Sequence, residues 1–152
     1  MGKREIMLAV VVYLVLALGG LARGDVAEAL GRTWAAVWMA ESGCRVDPPA
    51  GDGGKAVGPL QIWRCRVDDV NRICRLRGWP SRYTYQDRRD VRRSMEMFVI
   101  SCMHYHPDGG PEQWARHWNG HPVRGPKHES TLGYWRKVRQ FPALASFLAE
   151  SP

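Results

Sequence analysis

Residues 43–61 cannot form a helix, and that break organises everything around it. Gly43, Pro48, Pro49, Gly51, Gly53, Gly54, Gly58 and Pro59 crowd into this stretch, which reads as loops with room for a small hairpin. Helical spacing of apolar residues appears on both sides. Val26, Leu30, Trp34, Val37 and Trp38 mark one face of a helix over 25–40. Val67, Val70 and Cys74 do the same over 66–77, where Gly78 stops the pattern. Val91, Met95, Phe98, Cys102 and Tyr105 repeat through 87–105, with Arg88, Arg89, Arg92 and Arg93 off that stripe as a solvated face. Pro111 opens a short helix with Trp114, Ala115 and Trp118 inside, and Asn119-Gly120 closes it. Ser130 is placed to cap a helix over 131–140, and a last one follows Pro142. The expected class is mainly α, in an α+β arrangement. A helical body carries one small Gly/Pro-rich irregular or β-hairpin lobe directly after Glu41.

The first 24 residues follow a different pattern. Lys3 and Arg4 precede an unbroken apolar run of 13 residues from Ile6 to Leu18, and Ala22-Arg23-Gly24 supplies small residues at a cleavage site. A membrane span needs about 20 apolar residues. The segment 1–24 therefore reads as a secretory signal peptide, with an N-terminal anchor as the alternative, and 25–152 as one domain of an exported protein. Removing 1–24 takes away three basic residues and one acidic one, so the net charge of +7 falls to +5. Such a charge suits an anionic polymer, although Arg-rich helix faces also serve solubility alone.

Cys44, Cys65, Cys74 and Cys102 make an even count, which in an exported chain suggests two disulfides with three connectivities open. Zinc is the competing use of these residues. No Cys-x-x-Cys pair is present, and His104 and His106 would point to different sides of a helix, so no metal is expected. Nor is nucleic acid an expected partner, since no binding-module signature accompanies the charge. The Gly51-Asp-Gly-Gly54 run is not a phosphate loop.

Two carboxylates stand out for chemistry. Glu41 falls on the apolar stripe of the first helix, one turn after Val37 and Trp38. Burial against such groups raises a carboxyl pKa and keeps the proton on, as a general acid requires. A helix-end Glu that merely caps or pairs is the plainer alternative. Asp52 lies 11 residues on, in a Gly-rich loop that can fold back toward Glu41. A second carboxylate across a sugar bond acts as nucleophile or stabiliser at about 5–5.5 Å from the acid, and as base to a water at about 6.5–9.5 Å. The plainer alternative here is an Asp-Gly turn.

Four blocks carry a resemblance. They are Glu41-Ser-Gly-Cys44, Ala56-Val-Gly-Pro-Leu-Gln-Ile62, Ala115-Arg-His-Trp-Asn-Gly120 and Ser130-Thr-Leu-Gly-Tyr-Trp-Arg-Lys-Val138. In this order they resemble the lysozyme-like superfamily. The arrangement is similar to soluble-lytic-transglycosylase-type domains, and the wording is similar to invertebrate-type (destabilase) lysozymes. The likeness spans roughly residues 30–140. It implies a lysozyme-like fold and cleavage of the MurNAc–GlcNAc β-1,4 bond of peptidoglycan. Glu41 would be the general acid and Asp52 its partner. Ser42 would help hold the site, Gln61 would lie near the reacting sugar, Asn119 would contact substrate, and Tyr134 would stand close to the acid. No cofactor is implied, the partner is the glycan strand, and the protein is expected to be a monomer that meets a membrane only through an uncleaved N-terminus.

The rival readings are a lytic transglycosylase forming 1,6-anhydro ends and a non-enzymatic glycan-binding protein on the same fold. Three departures from the pattern are visible. Asp52 stands one residue nearer Gly58 than the family spacing. The turn after Asn119 reads Gly120-His121-Pro122 and runs on through Val123. The cysteines are far fewer than in invertebrate-type lysozymes, so that disulfide framework does not transfer.

Overall fold

A computed structural model describes residues 24–80, 82–120 and 124–150. The signal-peptide expectation for 1–24 and the departure at His121–Val123 lie outside the described residues, Gly24 excepted. The mainly helical expectation holds. Six helices follow one another: α1 Gly24–Ser42, α2 Arg64–Leu76, α3 Val91–Tyr105, α4 Pro111–Asn119, α5 Leu132–Val138 and α6 Pro142–Glu150. None of the described helices is long and apolar enough to cross a membrane.

Helix α1 organises the body. Leu30, Trp34 and Val37 are fully buried on the stripe that the spacing marks, and Val26 and Trp38 pack beside them. Against this stripe lie α6, α5, α4 and α3, while α2 packs on α3. Leu144, Val138, Trp114 and Phe98 fill the interior between these elements. Burying side chains of this size is worth about 1.5–3 kcal/mol each, which makes this layer the main source of stability.

The region 85–105 is two elements, not one helix. Residues Tyr85–Arg89 form a 3-10 turn whose start is fixed by Asp87, which accepts the Thr84 N–H at 2.6 Å. Asp90 then leaves helical geometry and caps α3, accepting from the Arg93 N–H at 2.7 Å. Arg88 departs from the solvated face expected of it. It is 7% exposed, and its guanidinium donates to the carbonyls of Tyr85, Lys55 and Ile62 at 2.7, 3.2 and 3.0 Å. A periodic pattern could not reveal this, because the carbonyls it serves belong to the lobe.

The lobe itself is barely a sheet. It holds two isolated antiparallel bridges: Gly51 with Ala56, which closes a 3-10 turn at Asp52–Gly54, and Val57 with Ile62, which follows. Gly58 seats it on the body. Its φ of 78° is left-handed, and a Cβ there would collide with the Arg88 carbonyl.

The two disulfides expected from the cysteine count are not formed. All four thiols are free, with Cys44 and Cys65 exposed and Cys74 and Cys102 buried. Cys65 and Cys74 share α2 and are nine residues apart, about 13 Å along the axis, beyond the reach of a disulfide. Cys102 is instead a core group whose thiol points at the Trp114 carbonyl, 4.0 Å away.

Candidate active site

Glu41 sits in the last turn of α1, and its carboxyl is half-buried against the body. Tyr134 on α5 donates its hydroxyl to Glu41 Oε1 at 2.6 Å. Burial pushes the Glu41 carboxyl above its ordinary range; the Tyr134 hydrogen bond and the nearby Lys137 cation pull the other way, and the charge of Asp52 adds to the rise. The net effect favours a protonated acid. Tyr134 is itself raised well above its usual value, first by burial and then by Glu41, so it remains a hydroxyl donor. Lys137 is occupied at the Ala40 carbonyl, 2.8 Å away, which completes the C-terminal end of α1.

Ser42 ties the lobe down. Its hydroxyl donates to the Pro59 carbonyl at 2.8 Å, across 17 residues of chain. Trp38 does the same nearer the helix, with its indole N–H on the Arg45 carbonyl at 2.9 Å. These contacts return the Gly/Pro-rich segment to the end of α1, where Asp52 comes within electrostatic range of Glu41.

Asp52 opens the 3-10 turn with φ 49°, and Gly53 and Gly54 continue in left-handed geometry. This is why the segment needs glycines there. The Asp52 carboxylate accepts the indole N–H of Trp63 at 3.2 Å. Gln61 holds the base of the same loop. Its Oε1 accepts the Gly51 N–H at 3.1 Å, and its Nε2 donates to the Gly58 carbonyl at 3.0 Å. The Gln61 amide is thus engaged in shaping the loop that presents Asp52.

Beyond Trp63 a cavity of about 390 Å³ opens, lined by Gln61, Trp63, Cys65, Arg66, Trp118 and Asn119 among others. Glu41 and Asp52 are not among its walls. The six residues expected at the site therefore fall into two groups. Glu41, Ser42, Tyr134 and Asp52 gather at the end of α1, whereas Gln61 and Asn119 line the cavity. Trp63 joins the two, touching Asp52 on one side and the cavity on the other.

Trp63 and Arg66 carry no expectation from the sequence, and Arg88 is expected there only as a surface charge. Trp63 carried a usable signal, since it follows Ile62 outside any helical stripe. The two arginines carried none, because most of their partners are backbone carbonyls distant in sequence. Among the described residues, no group of three His, Cys, Asp or Glu is placed to hold a metal ion. No family model, curated protein or solved structure matches the chain.

Proposed function

We propose that this protein is an exported muramidase with a lysozyme-like fold, which hydrolyses the MurNAc–GlcNAc β-1,4 bond of peptidoglycan by general acid catalysis. The observation that carries the reading is the state of Glu41. It is a half-buried carboxyl shifted toward its protonated form, steadied by one tyrosine hydroxyl and within electrostatic range of a second carboxylate on the lobe.

In this mechanism Glu41 delivers its proton to the glycosidic oxygen as the C–O bond breaks. Asp52 stabilises or attacks the oxocarbenium carbon, and water supplies the new hydroxyl as Glu41 recovers a proton. Tyr134 keeps Glu41 oriented. The four sequence blocks and the basic charge support a wall glycan as the polymer, and the pattern in 1–24 supports export. The reaction needs no cofactor.

Digestion of purified peptidoglycan, followed by mass spectrometry of the fragments, tests the proposal. Hydrated reducing ends are expected from the wild type and no fragments from Glu41→Gln. Anhydro ends would replace the hydrolase with a transglycosylase, in which the sugar's own 6-hydroxyl attacks. Binding without cleavage would leave a glycan-binding protein.

A further inference from the structure

Arg66 lines the cavity beyond Trp63 and is in an unusual position for a cation. Its Nη2 donates to the carbonyls of His117, Trp118 and Gly120 at 3.3, 3.2 and 3.3 Å, and its Nη1 reaches the Ser101 hydroxyl at 3.4 Å. The guanidinium lies over the Trp118 ring, 5.1 Å from its centroid. All of these partners are neutral. A guanidinium has five N–H donors; among the described residues its bonds run from Nη1 and Nη2, and none from Nε. Asp69, the one acid in the cavity wall, is engaged elsewhere: Arg72 bonds it at 2.8 Å and the Tyr105 hydroxyl at 3.1 Å. A largely buried cation whose partners are only dipoles is costly to hold, and an anion brought beside it would recover much of that cost. Burial also presses the Arg66 pKa downward, and the nearby Asp69 charge offsets part of that fall.

The rest of the wall narrows the choice of anion. Trp63 and Trp118 offer apolar indole faces, and Gln61 and Asn119 offer amides. The carboxylate of Asp69 disfavours a dianion such as phosphate. A monoanion on an apolar stem fits better. Trp63 lines the cavity and also donates its indole N–H to Asp52, so a sugar held at Asp52 would have the cavity on the other side of that indole.

We propose that this cavity recognises a carboxylate-bearing substituent of the glycan, the peptide stem of the wall polymer, with Arg66 meeting the carboxylate and the Trp63 and Trp118 indoles covering the stem. The inference rests on the muramidase reading, since it takes the bound sugar to lie at Glu41 and Asp52. It makes the protein selective for peptide-bearing wall over bare glycan.

Calorimetric titration of the full chain carrying Glu41→Gln tests it with three probes: a disaccharide with a free-acid peptide stem, the same compound with its carboxylates amidated, and the bare disaccharide. Amidation is expected to weaken binding about tenfold, one desolvated ion pair being worth at least that much. Adding Arg66→Met should erase the difference between free acid and amide. Because Arg66 also holds the end of α4, a second route leaves it intact: Cys65 is exposed in the cavity wall, and its alkylation with a bulky maleimide in a Cys44→Ser background fills the space. That adduct should lose the same tenfold.

Equal affinity for free acid and amide, while the wild type still cuts peptidoglycan, would overturn the pocket and leave the muramidase standing. Discrimination without any cutting would keep the pocket and overturn the muramidase. No binding to any probe and no cutting would overturn both.

Discussion

Glu41 and Asp69 are both half-buried carboxylates on helices, and the molecule surrounds them in opposite ways. Asp69 is met by a guanidinium and a phenol, with three hydrogen bonds at 2.8–3.1 Å from Arg72 and Tyr105. Its charge is answered on the spot, and it ties α2 to α3. Glu41 receives one hydroxyl and, among the described residues, forms no ion pair; the Lys137 ammonium nearby is bonded to a carbonyl. Partial burial thus has unequal meaning at the two sites. A carboxylate bonded directly by a guanidinium is held as a structural tie, whereas one in which burial outweighs its neighbours is shifted toward its protonated form.

The largest effect that would test this contrast is on catalysis. Glu41→Gln should lower peptidoglycan cleavage by ~10³-fold, the scale of a lost general acid. It should also remove a pH dependence of stability. The folded-state pKa of Glu41 is raised, so the folded chain holds this proton more tightly than the unfolded one. Stability is then greatest below the ordinary Glu range and declines as pH climbs through the raised value. Thermal unfolding across that window should show the decline in wild type and a flatter profile in Glu41→Gln. Identical slopes would sink the contrast.

Next in size is a change made on the lobe. Gly58→Ala forces a Cβ into left-handed backbone against the Arg88 carbonyl and should cost about 3 kcal/mol in denaturant unfolding. Where the variant still folds, a displaced lobe uncovers Glu41. Its pKa then relaxes toward that of a solvated carboxyl, and the alkaline limb of activity moves to lower pH.

Tyr134→Phe should act in the reverse direction on that limb. The Tyr134 hydrogen bond favours the ionised carboxylate, so its removal raises the Glu41 pKa further. Activity should fall about tenfold, from lost orientation, while the limb moves to higher pH. A limb moving to lower pH would break the account of the site. The smallest effect belongs to the structural carboxylate. Arg72→Met leaves Asp69 its tyrosine partner, and the Arg72 side chain is 43% exposed, so the cost should stay below about 1 kcal/mol. The pH limb set by Glu41 should not move.

The helical body was readable in the sequence because burial imposes a period, and Leu30, Trp34 and Val37 obey it. Glu41 was readable for the same reason, as a carboxyl on an apolar stripe. What period does not encode is contact between a side chain and distant backbone. Arg88 and Arg66 work that way, so the first looked like a surface charge and the second like nothing in particular. The cysteines misled through arithmetic alone: an even count says nothing about whether two sulfurs face one another.

The clamp formed by Arg88 also bears on when the site comes into being. The carbonyls it holds, Lys55 and Ile62, are 33 and 26 residues away along the chain. Contacts of that separation close only after much of the chain has ordered, because loop entropy opposes them until packing rewards them. The helix bearing Glu41 can form early and locally, but without the lobe it presents a solvated acid. The electrostatic setting of Glu41 is therefore complete only in the finished fold.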